Sequence, residues 1–194
     1  MSFIEYLKDV DESIFRWVLD NLNSDWIVKT CDFIVQEENL FPVMIIFFIF
    51  YAWKQKKKAA IFFLLVLFLL LFSEPTVSFL KSIFERPRPY TVFGINVNPG
   101  SFSFPSAHAF NTMSQAVLWA TWFRRQKNLF FAISITIGVA RFLSHYHFAG
   151  DIMAGWILGW AFGSAYVYIL KVINKRYNWI DFPQNRTENQ AIEQ

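Results

Sequence analysis

Charge is scarce in this sequence. Only 17% of its 194 residues are Asp, Glu, Lys or Arg, against about 25% in an average soluble domain. Cysteine is nearly absent. Cys31 stands alone, so no intramolecular disulfide forms and a disulfide-stapled scaffold is excluded. Seven glycines and seven prolines are too few for a collagen-like or low-complexity chain. Only three histidines are present, so each is worth locating. Apolar side chains fill the deficit: 55% of residues are hydrophobic and 20% aromatic, with 24 Phe and 8 Trp. Such a composition excludes disorder, and the length predicts one domain.

The apolar residues come in long runs. Ala59 to Leu80 holds one charge, Glu74. As a helix it reaches about 33 Å, enough for a hydrocarbon core of about 30 Å. It lies too deep in the chain for a signal peptide. Ser106 to Phe123 has no Asp, Glu, Lys or Arg; Leu129 to Leu143 has only Arg141, and Phe148 to Leu170 only Asp151. Leu40 to Trp53 is uncharged but short, and the lysines beyond Trp53 extend it to the interface. These runs predict an all-α, polytopic membrane helix bundle with five transmembrane helices, six if residues 24–38 also cross. The first 38 residues are acidic, with apolar positions at helical spacing (Ile14, Phe15, Val18, Leu19, Leu22; then Trp26, Ile27, Cys31, Phe33, Ile34). Two amphipathic helices, at the membrane surface or packed on the bundle, are expected there. Residues 39–173 then form the transmembrane domain and 174–194 a polar cytoplasmic tail.

Basic residues set the orientation. Lys54 to Lys58, Arg124 to Lys127, and Lys171 to Arg176 lie after the first, third and fifth spans. An odd span count puts all three on the cytoplasmic side. Lys81, Arg86, Arg88 and Arg141 break that rule, on the opposite side. His108, His145, His147 and Asp151 fall at the same span ends. Charged groups there mark a functional site.

Several cations with few carboxylates suit an anion, and phosphate fits. Pro105-Ser106 reads as a helix start, which adds free N–H groups and a hydroxyl. His147 and Asp151 are four apart and share a helix face. A carboxylate holding one imidazole nitrogen frees the other as a nucleophile. His108 is placed to protonate a leaving oxygen. Together these parts make a phosphoryl-transfer site without a metal.

At these residues the chain resembles the type 2 phosphatidic acid phosphatase superfamily. Lys81, six residues, then Arg88-Pro89 is similar to its first signature. Pro105-Ser106-Ala107-His108 is similar to its second, with Ala107 in place of glycine. Arg141, five residues, His147, three residues, Asp151 is similar to its third, with Ala140 in place of the usual preceding serine. The resemblance implies that His147 attacks phosphorus, Asp151 orients it, and His108 serves as acid and then base. It implies that Lys81, Arg88, Ser106, Ala107 and Arg141 bind the phosphoryl oxygens, with no metal and no cofactor. The expected substrate is a lipid phosphate or diphosphate, with undecaprenyl diphosphate first, as in bacterial undecaprenyl-diphosphate phosphatases. Phosphatidylglycerol phosphate, phosphatidic acid and lipid A phosphates are the alternatives. The expected setting is a bacterial inner membrane, with the site facing the periplasm or exterior. A transporter or anionic-lipid binder, and a metal site from His108, His147 and Asp151, are the rival classes.

Other features read more plainly. A net charge of +3 follows from topology and the site, so no nucleic-acid partner is expected. Arg86 reads as a snorkelling or headgroup residue. His145 reads as structural or gating. Glu74-Pro75 reads either as a kink or as a proton or substrate contact. Asn185-Arg186-Thr187 matches a glycosylation sequon, but on the cytoplasmic side. Oligomeric state is not legible.

Overall fold

The computed structural model describes residues 3–94, 101–177 and 180. Among these, every regular element is a helix. Two helices lead the chain, α1 (Phe3–Leu22) and α2 (Asp25–Val35). Each apolar run forms a helix: α3 (Glu37–Lys54), α4 (Lys56–Phe84), α6 (Ala107–Trp122), α7 (Lys127–Leu143) and α8 (Ala149–Tyr177). A short helix, α5 (Pro89–Val92), lies between α4 and α6. A 3-10 turn (Arg124–Gln126) joins α6 to α7.

Two of these helices are long and apolar enough to cross a membrane by themselves. By length and composition, α4 and α8, each of 29 residues, can cross a membrane. The apolar part of α3 (Pro42–Lys54) is too short, and α6 and α7 have only 16 and 17 residues. At about 1.5 Å per residue those two reach about 24–26 Å, short of a 30 Å core. Residues 24–38 are not one continuous helix. α2 has 11 residues, and the extended backbone at Gln36 separates it from α3.

Local chemistry sets the breaks near the site. α4 ends where Glu85 takes a left-handed backbone (φ 45°), two residues before Pro87. Pro89 opens α5, where its missing N–H costs nothing. Ser106 caps α6, its Oγ accepting the Ala109 N–H at 3.5 Å.

α6 is the central helix. Gln115 donates to the Val66 carbonyl at 3.2 Å, and the Trp119 ring lies 4.9 Å from that of Phe62, so α4 runs antiparallel to α6. α8 runs parallel to α6 along Gly155, Gly159 and Gly163. A Cβ at Gly155 would lie 2.8 Å from the Ser106 carbonyl, and one at Gly163 2.6 Å from that of Ser114. Glycines four apart let the two backbones touch.

The end of the bundle away from the site is aromatic. Phe47, Tyr51, Phe62, Trp119, Trp122 and Phe123 pack there, and Trp122 Nε1 donates to the Tyr51 hydroxyl at 2.8 Å. The lysine-rich break between α3 and α4 and the arginine-rich turn after α6 therefore share that end. Ile180 also docks there, through two 2.7 Å hydrogen bonds between its backbone and Asn174. The remainder of the expected tail, with the sequon, lies outside the described residues.

α1 lies across the opposite end. It turns Asp11, Phe15 and Val18 inward and leaves Tyr6, Val10, Ile14 and Trp17 exposed. α2 buries Cys31 and Val35 against Ala140 of α7.

Candidate active site

Asp151 organises the site. It stands in the first turn of α8, and its Oδ2 accepts the N–H of Phe148 at 2.9 Å. This is the carboxylate half of a capping box, so the helix start itself fixes the acid. The Asp151 carbonyl accepts the Ser106 N–H at 3.1 Å, joining the starts of α8 and α6. Ser103 Oγ donates to Oδ2 at 2.5 Å, and Arg86 Nη1 donates to Oδ1 at 2.8 Å. The carboxylate is fully buried and fully partnered.

His147 lies just before α8, not on it, yet the pairing expected from its spacing forms. Its Nδ1 is 3.6 Å from Asp151 Oδ2 and 3.4 Å from Ser103 Oγ. Its Nε2 is 3.5 Å from Arg88 Nη1. The ring is buried. Burial pushes the imidazole down to about 4, Arg88 and Arg141 push the same way, and Asp151 offsets only part of this. At neutral pH the ring is uncharged. With Nδ1 facing two oxygen acceptors, the proton sits there and Nε2 keeps its lone pair.

The cations line the mouth of this pair. Lys81 is buried and donates to the Phe102 carbonyl at 2.5 Å. Arg88 donates to the carbonyls of Ser101 (2.6 Å) and Tyr146 (3.2 Å) and to Ser101 Oγ (3.3 Å). An ammonium has three donors and a guanidinium five, so both keep capacity for an anion. The Arg141 guanidinium lies 4.3 Å from the Tyr146 ring centroid. His108, in the first turn of α6, is within electrostatic reach of Lys81, Arg88, Arg141 and His147. Ser106 is buried, and Ala107 begins the helix beside it.

The two departures from the family signatures are mild. Among described residues other than glycine, a positive φ occurs only at Glu85 and His145, so Ala107 is unstrained. Ala140 packs on Cys31 and Val35 of α2.

One reading is overturned. Arg86 is no snorkelling or headgroup residue. It bridges two carboxylates at 2.8 Å each, Asp151 and Asp11, and lies 4.2 Å from the Phe148 ring centroid. Two acids drawn from different helices outcompete water for its guanidinium. His145 is buried edge-on to Phe15, in a left-handed backbone (φ 62°), and burial lowers its pKa. Asn111 donates to Glu74, which with Pro75 lies inside α4. Ser103 is the residue the sequence reading missed. It belongs to no expected helix, and a serine in a loop carries no periodic signal. Among the described residues no three His, Cys, Asp or Glu side chains converge as a metal-ligand set.

Comparison with known proteins bears on the fold and the family. The chain is similar in fold to the transmembrane PAP2-type phosphatidylglycerolphosphate phosphatase from Bacillus subtilis. The TM-score is 0.66 at 21% identity, over 87% of this chain and 88% of that one. It is also similar to Aquifex aeolicus LpxE, with a TM-score of 0.58 at 22% identity, over 80% of this chain and 93% of that one. No curated protein sequence matches it significantly. The family model of the PAP2 superfamily matches residues 62–175, a stretch holding all three signatures, and the chain belongs to that superfamily.

Proposed function

We propose that this protein is a membrane lipid phosphatase working through a phosphohistidine on His147. The observation that carries the reading is the buried imidazole, with Nδ1 on Asp151 and Ser103 and Nε2 toward the Arg88 guanidinium. Nε2 attacks phosphorus, and the bond from phosphorus to the lipid-side oxygen breaks. His108 gives its proton to that oxygen. In the second step His108 takes a proton from water, the water oxygen attacks phosphorus, the P–N bond breaks, and phosphate leaves. Lys81, Arg88, Arg141, the Ser106 hydroxyl and the Ala107 N–H hold the phosphoryl oxygens. Preorganised donors of this kind are each worth about 10²–10³ in rate.

The same reading extends to the membrane. Five helices cross it, α6 and α7 reaching the interfaces through the loops at their ends. The basic loops face the cytoplasm, and the site opens on the outer face of a bacterial inner membrane. Residues 1–38 lie at that surface, 39–173 form the catalytic domain, and 174–194 form a cytoplasmic tail. The substrate is a lipid phosphate or diphosphate, first undecaprenyl diphosphate. Phosphatidylglycerol phosphate is the second choice, favoured by the fold likeness to the Bacillus subtilis phosphatase. An apolar hollow of about 360 Å³, lined by Leu80, Phe84, Phe104, Ala154, Ile157 and Leu158, offers room for a lipid tail. The reaction uses no metal.

The test is phosphate release by detergent-purified protein from undecaprenyl diphosphate, phosphatidylglycerol phosphate, phosphatidic acid and lipid A phosphates, in excess EDTA. Release that vanishes in His147→Ala supports the reading, and the ranking names the substrate. Release by wild type only without EDTA points to a metal enzyme. Binding of every lipid without release points to a transporter or binding protein.

A further inference from the structure

α1 reaches into the site end through one carboxylate. Asp11 Oδ2 accepts from Arg86 Nη2 at 2.8 Å, and its Oδ1 accepts the Gly150 N–H at 2.9 Å. Gly150 is the second residue of α8, so the acid also sits against the positive end of that helix. A Cβ at Gly150 would lie 2.8 Å from Asp11 Oδ2, so the close approach depends on glycine there. Asp11 is only 8% exposed, although it belongs to a helix with an otherwise acidic, solvated surface. One turn on, Phe15 is fully buried. Its ring meets those of Phe93, Phe142, His145 and Phe148, each 5.3–6.2 Å away. Phe142, His145 and Phe148 all lie within the third signature and Phe93 caps α5, so Phe15 packs on the third signature and on the end of α5.

Arg86 serves Asp11 and Asp151 with one guanidinium. Its Nη1 holds Asp151 Oδ1 while its Nη2 holds Asp11 Oδ2. A guanidinium is planar, so fixing one nitrogen fixes the direction of the other. We propose that Asp11 is a positioning residue. It pins Arg86, which in turn sets the plane of the Asp151 carboxylate that holds His147. The inference rests on the phosphatase reading above. Asp11 reaches His147 only through Arg86 and Asp151, so its effect falls on the chemical step and not on lipid binding.

The experiment is a double-mutant cycle in the full-length, detergent-purified protein. Wild type, Asp11→Asn, Arg86→Gln and the double variant are compared for kcat and KM on the best lipid phosphate of the panel. Asp9→Asn, on the exposed face of α1, is the control. Thermal unfolding of each protein confirms that it folds. The expected result is a fall in kcat of about tenfold for Asp11→Asn with KM unchanged, since small misplacements of a positioned group cost rate at this scale. The double variant should lose no more than Arg86→Gln alone, and Asp11→Glu should recover part of the rate. Losses that multiply, a change confined to KM, or wild-type kcat in Asp11→Asn would overturn the proposal. If His147→Ala is inactive while Asp11→Asn is normal, only this inference fails. If His147→Ala keeps full activity, or wild type releases phosphate from no lipid, the phosphatase reading fails and this inference fails with it.

Discussion

Arg86 and Asp151 stand 65 residues apart in the chain and meet at 2.8 Å. This contact ties the loop after α4 to the start of α8, and it gives the buried carboxylate its counter-charge. Replacing Arg86 with Gln leaves Asp11 and Asp151 facing each other without a cation. Breaking a buried pair in this way costs about 3 kcal/mol or more. The expected outcome is a clear fall in unfolding temperature, with kcat reduced and KM little changed. A headgroup contact predicts the reverse, a raised KM and unchanged stability. Calorimetry and steady-state kinetics on one preparation decide between them.

Ser103 tests the other side of the same carboxylate. It donates to Asp151 Oδ2 and lies beside His147 Nδ1. Ser103→Ala removes a hydrogen bond to a charged group, worth about 1.5–3 kcal/mol. If half of that supports the transition state, kcat falls about 4- to 13-fold. KM is expected to stay put, because Ser103 holds the nucleophile and not the lipid. A rise in KM without loss of kcat contradicts this role.

The helix–helix contact makes a prediction about folding. At Gly159 a Cβ would run into the backbone of Phe110. Backbone cannot yield as a side chain can, so Gly159→Val should cost at least the 1–3 kcal/mol typical of overpacking. The expected outcome is a large loss of folded protein in detergent, seen by size-exclusion chromatography. Gly94→Ala is a comparison, since a Cβ there meets nothing within 4 Å, although its φ of +68° carries some strain.

The pH dependence follows from burial. An exposed histidine titrates near 6.5, whereas burial holds His147 at about 4. As pH falls from about 6.5 to about 4, the unfolded chain takes up a proton that folded His147 refuses. Stability therefore drops across that window and this contribution is fully present only above it. His145 is lowered by burial too and adds in the same sense. Unfolding temperature in detergent should decline from pH 7 to pH 4, and less steeply in His147→Gln. The acid limb that His147 contributes to activity should fall nearer pH 4 than pH 6.5.

Much of this was legible in the sequence because two strong signals coincide. Apolar runs located α3, α4, α6, α7 and α8, and the acidic amphipathic pattern located α1 and α2. The signature spacings named Arg88, His147 and Asp151, which contact one another in turn, and Lys81, which lies within electrostatic reach of Arg88 and Asp151. What stayed hidden depends on tertiary approach. Arg86 looked like a surface cation because its partners, Asp11 and Asp151, lie 75 and 65 residues away. Ser103 sits in a loop, where no period marks a residue as buried. The glycines of α8 were in plain view at four-residue spacing, and the reading for charge passed over them.

The central claim is that His147 carries the phosphoryl group. The direct test is to mix the purified protein with a lipid phosphate radiolabelled at phosphorus, quench with base after a fraction of one turnover, and map the label. The account predicts an acid-labile, base-stable label on the peptide containing His147, present in wild type and absent in His147→Ala. The His108→Ala variant should turn over slowly and retain more label than wild type under a leaving group that needs no proton. Turnover with no trapped label at any time point, or a label that persists in His147→Ala, would contradict it.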